Sequence, residues 1–209
     1  MVRAADPPPT AEAFTVLVMP SGDSPDPRPV RRLVTGHAPD GRSIVVSDGP
    51  ARNVRRRLAG NSSTLLWVTD ESPADLVDAR DRADREIGVP PPPQGTIFRV
   101  VEFPPATGGD IADASGVRRD FGIGDDVMPG AAPRHPAIHR TRTLDYVVVL
   151  EGEIDLLLDD RDVRLRAGDV VVQQGTNHAW INRGVQRCRL AMVFVDSREP
   201  TAILALNTR

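Results

Sequence analysis

The sequence predicts an all-β fold, a small antiparallel sandwich or barrel, and residues 139–182 carry that prediction. Short apolar runs of strand length, rich in Val and Leu, fill the stretch. Turn-forming pairs punctuate them at regular spacing: Glu151-Gly152, Asp159-Asp160, Ala167-Gly168 and Gln174-Gly175. Hydrophobic residues make up 40% of the chain, enough for a core, but only 4% is aromatic, so Val, Leu and Ile must fill it. Closing such a sheet brings sequence-distant residues together at its mouth. His139, Asp145 and His178 stand at the two ends of the stretch.

Three parts are expected along the chain: a disordered N-terminus at 1–13, an arm and linker at 14–95, and the barrel at 96–209. The first dozen residues contain AADPPPT and no apolar segment of a secretory signal, and no stretch approaches the roughly 20 apolar residues of a membrane span. A cytoplasmic protein is the expectation. Residues 14–19 are a possible first strand. Residues 30–36 and 43–47 flank Asp40-Gly41, a hairpin signal, and His37 beside it is a surface turn histidine. Arg55 to Arg57 read as part of a solvated loop. Residues 64–69, TLLWVT, read as a strand. Residues 72–87 begin with Ser-Pro but carry few apolar residues, which fits a short surface helix or an ordered loop. Pro90 to Pro93 form a stiff spacer.

Residues 96–103, TIFRVVEF, are the first barrel strand, with either Ile97, Arg99 and Val101 or Phe98, Val100 and Glu102 facing inward. The long irregular segment 110–136 leads into His139 and is expected to cover the barrel mouth, anchored by Phe121, Ile123 and Met128. Arg118 and Arg119 in it are candidates to meet a substrate carboxylate. His135 lies four residues before His139, but Pro133 and Pro136 argue against the helix that would align the two. Alternation sets the rest. An inward His139 takes Thr141, Thr143, Asp145, Val147 and Val149 with it and sends Arg140 and Arg142 to solvent. An inward His178 takes Trp180 and Asn182. The expected pocket wall is Val147, Val149 and Trp180, with Phe121 and Met128. Residues 201–209 read as a last strand or a short helix.

Composition removes several functions. A net charge of −3 gives no basic footprint for nucleic acid. All 26 basic residues are arginine, so no lysine is present for Schiff-base chemistry. Cys188 is the one cysteine, which removes an intrachain disulfide and a Cys-rich metal site; a buried structural thiol is expected.

The stretch from His139 resembles the cupin superfamily. Its first motif is roughly G-x5-H-x-H-x3-4-E-x6-G, and His139, Thr141, Asp145 and Gly152 match that frame. Its second is G-x5-P-x-G-x2-H-x3-N, matched by Gly168, Gly175, His178 and Asn182. HRTxTxDY, VLxGE and GTNHAWxN together look like a group of small bacterial and fungal cupins. The chain departs from the pattern at Thr141, where the second histidine would stand, at Asp145, where a longer glutamate would stand, and at Gln173 or Gln174, in place of the proline.

The resemblance implies a cupin-type jelly roll preceded by an arm that packs on the barrel or on a partner chain, hence a homodimer. It implies a divalent metal, Fe, Zn, Mn or Ni, on His139, Asp145 and His178, with Thr141 a weak ligand or a hydrogen-bond partner and no organic cofactor. Three functions follow as expectations. The first is a metal-dependent lyase or isomerase on a small oxygenated metabolite, with His139, Asp145 and His178 catalytic. The second is an iron-dependent dioxygenase at the same residues. The third is a small-ligand-binding module without turnover.

Overall fold

The structure is a computed structural model and describes residues 27–56, 60–76, 80–106 and 133–199. The described residues contain eleven strands and no helix. They are β1 (Arg31–His37), β2 (Ser43–Pro50), β3 (Val54–Arg56), β4 (Ser62–Thr69), β5 (Thr96–Phe103), β6 (Thr143–Glu151), β7 (Glu153–Leu157), β8 (Asp162–Arg166), β9 (Val170–Gln174), β10 (Ala179–Ile181) and β11 (Cys188–Asp196). Every pairing is antiparallel. The fold class is therefore all-β, as the spacing of apolar runs and turn pairs predicts. No described helix is long and apolar enough to cross a membrane.

Six strands form the larger sheet in the order β3-β4-β5-β11-β6-β9, and β10-β7-β8 form a smaller one. Alternation places the core between them. On β11 the buried side chains are Cys188, Leu190, Met192 and Phe194; on β6 they include Val147 and Val149. They meet Ile154 and Leu156 of β7 and Leu165 of β8 in one cluster. Each such side chain contributes on the order of 1.5–3 kcal/mol by leaving water. Val147 and Val149 were expected to wall the pocket. They are packed inside this core instead and do not line the cavity, because the inward face of β6 runs past the cavity into the space between the sheets.

The β1–β2 hairpin turns at Asp40-Gly41, with Gly41 at φ 83°. β4, assigned from the sequence to the arm, adds directly to β5 in the six-stranded sheet. Residues 72–87 contain no helix among those described; they form turns, with Ala83 and Ile87 packed on the core. Arg32 pairs with Asp81, and Arg85 with Asp70, across this region. The expected strand at 14–19, the long segment with Arg118, Arg119, Phe121 and Met128, and residues 201–209 lie outside the described residues.

The turn from β6 to β7 requires glycine. Gly152 has φ 74°, and a Cβ there would stand 2.6 Å from the Arg187 carbonyl oxygen. Gly175, at φ 59°, closes the approach to His178.

Candidate active site

The two sequence motifs meet through their backbones. His139 and His178 exchange both main-chain hydrogen bonds at 2.9 Å, an isolated antiparallel bridge beyond the end of the β6–β9 pairing. The side chains follow. Their ring centroids lie 4.7 Å apart at an interplanar angle of 48°. Nδ1 of His139 lies 3.0 Å from the Ala137 carbonyl, and Nδ1 of His178 lies 2.9 Å from the Thr176 carbonyl. A carbonyl only accepts, so Nδ1 carries the hydrogen in both rings. Burial first, then the neighbouring His139, push the His178 pKa down to about 3, against the Thr176 carbonyl. At neutral pH His178 is uncharged, with the lone pair on Nε2.

Both rings line a cavity of about 140 Å³. Asp145 and Thr141 line it from the His139 side, and Trp180 and Ile181 from β10. Val101, Phe103, Met192 and Phe194, from β5 and β11, stand in its apolar wall. Trp180 meets His178 edge-on at 6.2 Å, so the two face the same way, as parity predicts.

Asp145 is 2% exposed. On the neighbouring strands its register partners are Phe194 and Gln173. Gln173 directs its amide to the Thr176 hydroxyl. Oδ1 of Asp145 is buried and makes no hydrogen bond. Burial raises its pKa to about 7, with the Thr143 hydroxyl pulling the other way. A carboxyl with that environment is half-ionised near neutrality.

The cupin pattern implies a divalent metal here, and the described residues alone do not make its donor set. Among the described residues no three His, Cys, Asp or Glu side chains come together to hold an ion. His139 and His178 meet, but Asp145 does not join them. It lies six residues along from His139, with one methylene fewer than the family's glutamate. Thr141 spends its hydroxyl on Thr143, 2.7 Å away. Of the three expected ligands, the structure brings the two histidines together and sets Asp145 in the wall of the same cavity.

Other expectations resolve individually. Arg142 is exposed, but Arg140 is buried, not solvated, because Glu199 folds over it as an ion-pair partner. Asn182 binds the fold together. Its Nδ2 donates to the carbonyls of Phe103 and Gln186 at 2.9 and 2.7 Å, and its Oδ1 accepts from the Gly184 amide at 2.9 Å. His135 sits in a turn, accepting the Ala137 amide at Nδ1. Cys188 is fully buried, its thiol pushed up to about 11 by burial and then by Glu153, as befits a structural residue.

One site residue was present in the sequence without being singled out. Arg99 on β5 is 3% exposed and lines the cavity. Its Nη2 donates to the Gly88 carbonyl at 2.5 Å, and its guanidinium lies 5.4 Å from the centre of the Phe194 ring. A lone cation in an apolar strand was the available signal.

A family model of the cupin domain matches residues 126–194. Phomopsin biosynthesis cluster protein C' of Diaporthe leptostromiformis is 33% identical over 168 residues, covering 77% of this chain and 75% of that protein. The cupin-domain-containing oxidoreductase srdD of Neurospora crassa is 27% identical over 188 residues, covering 84% of this chain and 80% of that protein. Among solved structures, the Cnp3 cupin domain of Schizosaccharomyces pombe is 14% identical, with a TM-score of 0.41 over 85% of this chain and 93% of that one.

Proposed function

We propose that this chain, which belongs to the cupin family, is a small-molecule enzyme that moves a proton on a small oxygenated metabolite, an isomerase or lyase step with Asp145 as proton carrier. The observation that carries this reading is the Asp145 carboxyl, buried in the wall of the cavity that the two imidazoles also line, with Oδ1 unbonded. A buried acceptor without a partner calls for one, which a ligand in the cavity that Asp145 lines would supply. Its pKa near neutrality suits both halves of a proton shift. As carboxylate it removes a proton from carbon beside a substrate carbonyl. The carboxylic acid so formed returns the proton at another position, and the enzyme ends as it began. Nε2 of His178 accepts a hydrogen bond from a substrate hydroxyl and orients it. Trp180, Met192 and Phe194 cover the apolar body and keep water out.

The relatives' names support an enzyme of small-molecule biosynthesis and favour a second chemistry, oxidation, since several are called oxidoreductases. The chain's sole thiol, Cys188, is buried and high in pKa, so that reaction needs an electron acceptor bound from outside.

Deuterium exchange separates the two. The protein is incubated in D2O with a panel of small oxo acids and aromatic carbonyl compounds, and NMR follows C–H exchange. Wild type is expected to catalyse exchange on a member of the panel, and Asp145→Asn to slow it by about 100-fold or more. Undiminished exchange by Asp145→Asn would remove the carboxyl from the chemistry. Dioxygen uptake by anaerobically iron-loaded protein, without exchange, would establish the oxidative reading.

A further inference from the structure

We infer that Arg99 is the anion anchor of this cavity, and that its substrate is a small carboxylate with an apolar body about the size of one ring. The inference rests on reading the cavity as a substrate site and names the substrate class. Arg118 and Arg119, the arginines expected from the sequence to meet a carboxylate, lie outside the described residues; Arg99 is a described cation on the cavity wall.

Guanidinium is charged at any physiological pH. Placing it at 3% exposure in a wall shared by apolar side chains such as Val101, Phe103 and Met192 is costly unless it meets matching groups. The Gly88 carbonyl holds Nη2, the Ser63 hydroxyl lies 3.5 Å from Nη1, and the Phe194 ring lies beneath the group. These contacts fix the plane of the guanidinium before any ligand arrives. A planar fork held in place matches a planar carboxylate and two parallel hydrogen bonds.

Size and register give the rest of the ligand. The cavity volume, about 140 Å³, is close to that of an apolar cavity of about 150 Å³ known to take benzene. Across the sheet, Arg99 pairs with Met192 on β11, and Asp145 pairs with Phe194 on the same strand. The two polar residues are therefore one inward position apart along the strands, with β11 between them. A strand spacing of about 4.8 Å and a rise of about 3.4 Å put their α-carbons roughly 12 Å apart. With both side chains reaching into the cavity, the remaining gap suits a ring or short chain. Its carboxylate lies on Arg99, its flank on Met192 and Phe194, and its reacting carbon at Asp145.

Calorimetric titration with benzoate and with benzamide tests this, because the two share a shape and differ in charge. Wild type is expected to bind benzoate about tenfold or more tighter than benzamide, the worth of a charge-assisted pair. Arg99→Gln is expected to lose the preference, and Arg99→Lys, a point charge without the fork, to keep part of it. Circular dichroism melts establish that each variant folds. Equal affinity of wild type for the two probes overturns the anchor while leaving the cavity a binding site. Binding of neither probe by folded wild type removes the cavity reading and the anchor together. A preference that survives Arg99→Gln places the anion elsewhere. Should Arg99→Gln fail to melt cooperatively, an undiminished preference in Arg99→Lys overturns the bidentate anchor.

Discussion

At Asp145, folding and ionisation oppose each other. Its pKa stands at about 7 in the fold against an ordinary 3.8, because burial disfavours the carboxylate. The raised value means that this contribution to stability is fully present below about 4 and is lost as pH rises through about 7. At about 1.36 kcal/mol per unit the effect is on the order of a few kcal/mol. Asp145→Asn removes the ionisation, so its melting temperature should exceed wild type's at pH 8, with the gap closing toward pH 4. A gap constant across that range would show that the carboxyl does not titrate in the fold. His178 runs the other way: its value falls from 6.5 to about 3, so its contribution is present above 6.5 and lost as pH falls through 3. Elemental analysis addresses the pair directly. With only two imidazoles meeting, protein purified without added metal is expected to hold less than one ion per chain. A full equivalent, lost in both His139→Ala and His178→Ala, would show that Asp145 or a group outside the described residues completes the set.

Among the elements, the β6–β7 turn is the most sharply specified. A Cβ on Gly152 would meet the Arg187 carbonyl and the Cys188 backbone, whereas one on Gly168, also at positive φ, meets nothing within 4 Å. Urea melts should therefore show Gly152→Ala destabilising by roughly 1–3 kcal/mol more than Gly168→Ala. Equal costs would mean that φ alone governs both turns. These glycines were legible from the sequence, as were both ends of β5 and the hairpin at Asp40-Gly41, because turn chemistry and strand length are local. The parity of β5 was not legible. Its residues from Arg99 to Phe103 are all buried, since Val100 packs on Ala51 and Leu66 on the outer face while Val101 faces the core. An apolar strand covered on both sides carries no alternation, so nothing local chose between Arg99 and Glu102. Arg140 misled for a similar reason. Its partner, Glu199, is 59 residues away, and no periodicity reports a distant carboxylate. The histidine pairing followed from motif and parity; the failure of Asp145 to join it depends on the path of the backbone between residues 139 and 145, which alternation does not describe.

For the whole molecule, the outer face of the six-stranded sheet stands out. Register aligns Phe98, Val193, Tyr146 and Val172 in one row across four strands, and Phe98, Tyr146, Val148, Val170 and Val172 are exposed. Contiguous apolar area of this kind marks an interface, and we propose a homodimer that covers it. Light scattering at micromolar concentration should give twice the 22.6 kDa chain mass, and Tyr146→Glu should return the single-chain value. A wild-type monomer would refute the dimer. The bridge between His139 and His178 has a consequence of a different kind. Each residue's carbonyl accepts the other's amide, so separating the two segments at this point frees both hydrogens in one opening. Their protection factors, corrected for each amide's intrinsic rate, should coincide and fall together under mild denaturant. The two imidazoles are then a single kinetic unit: whatever admits a ligand between the strands releases them jointly or leaves both in place.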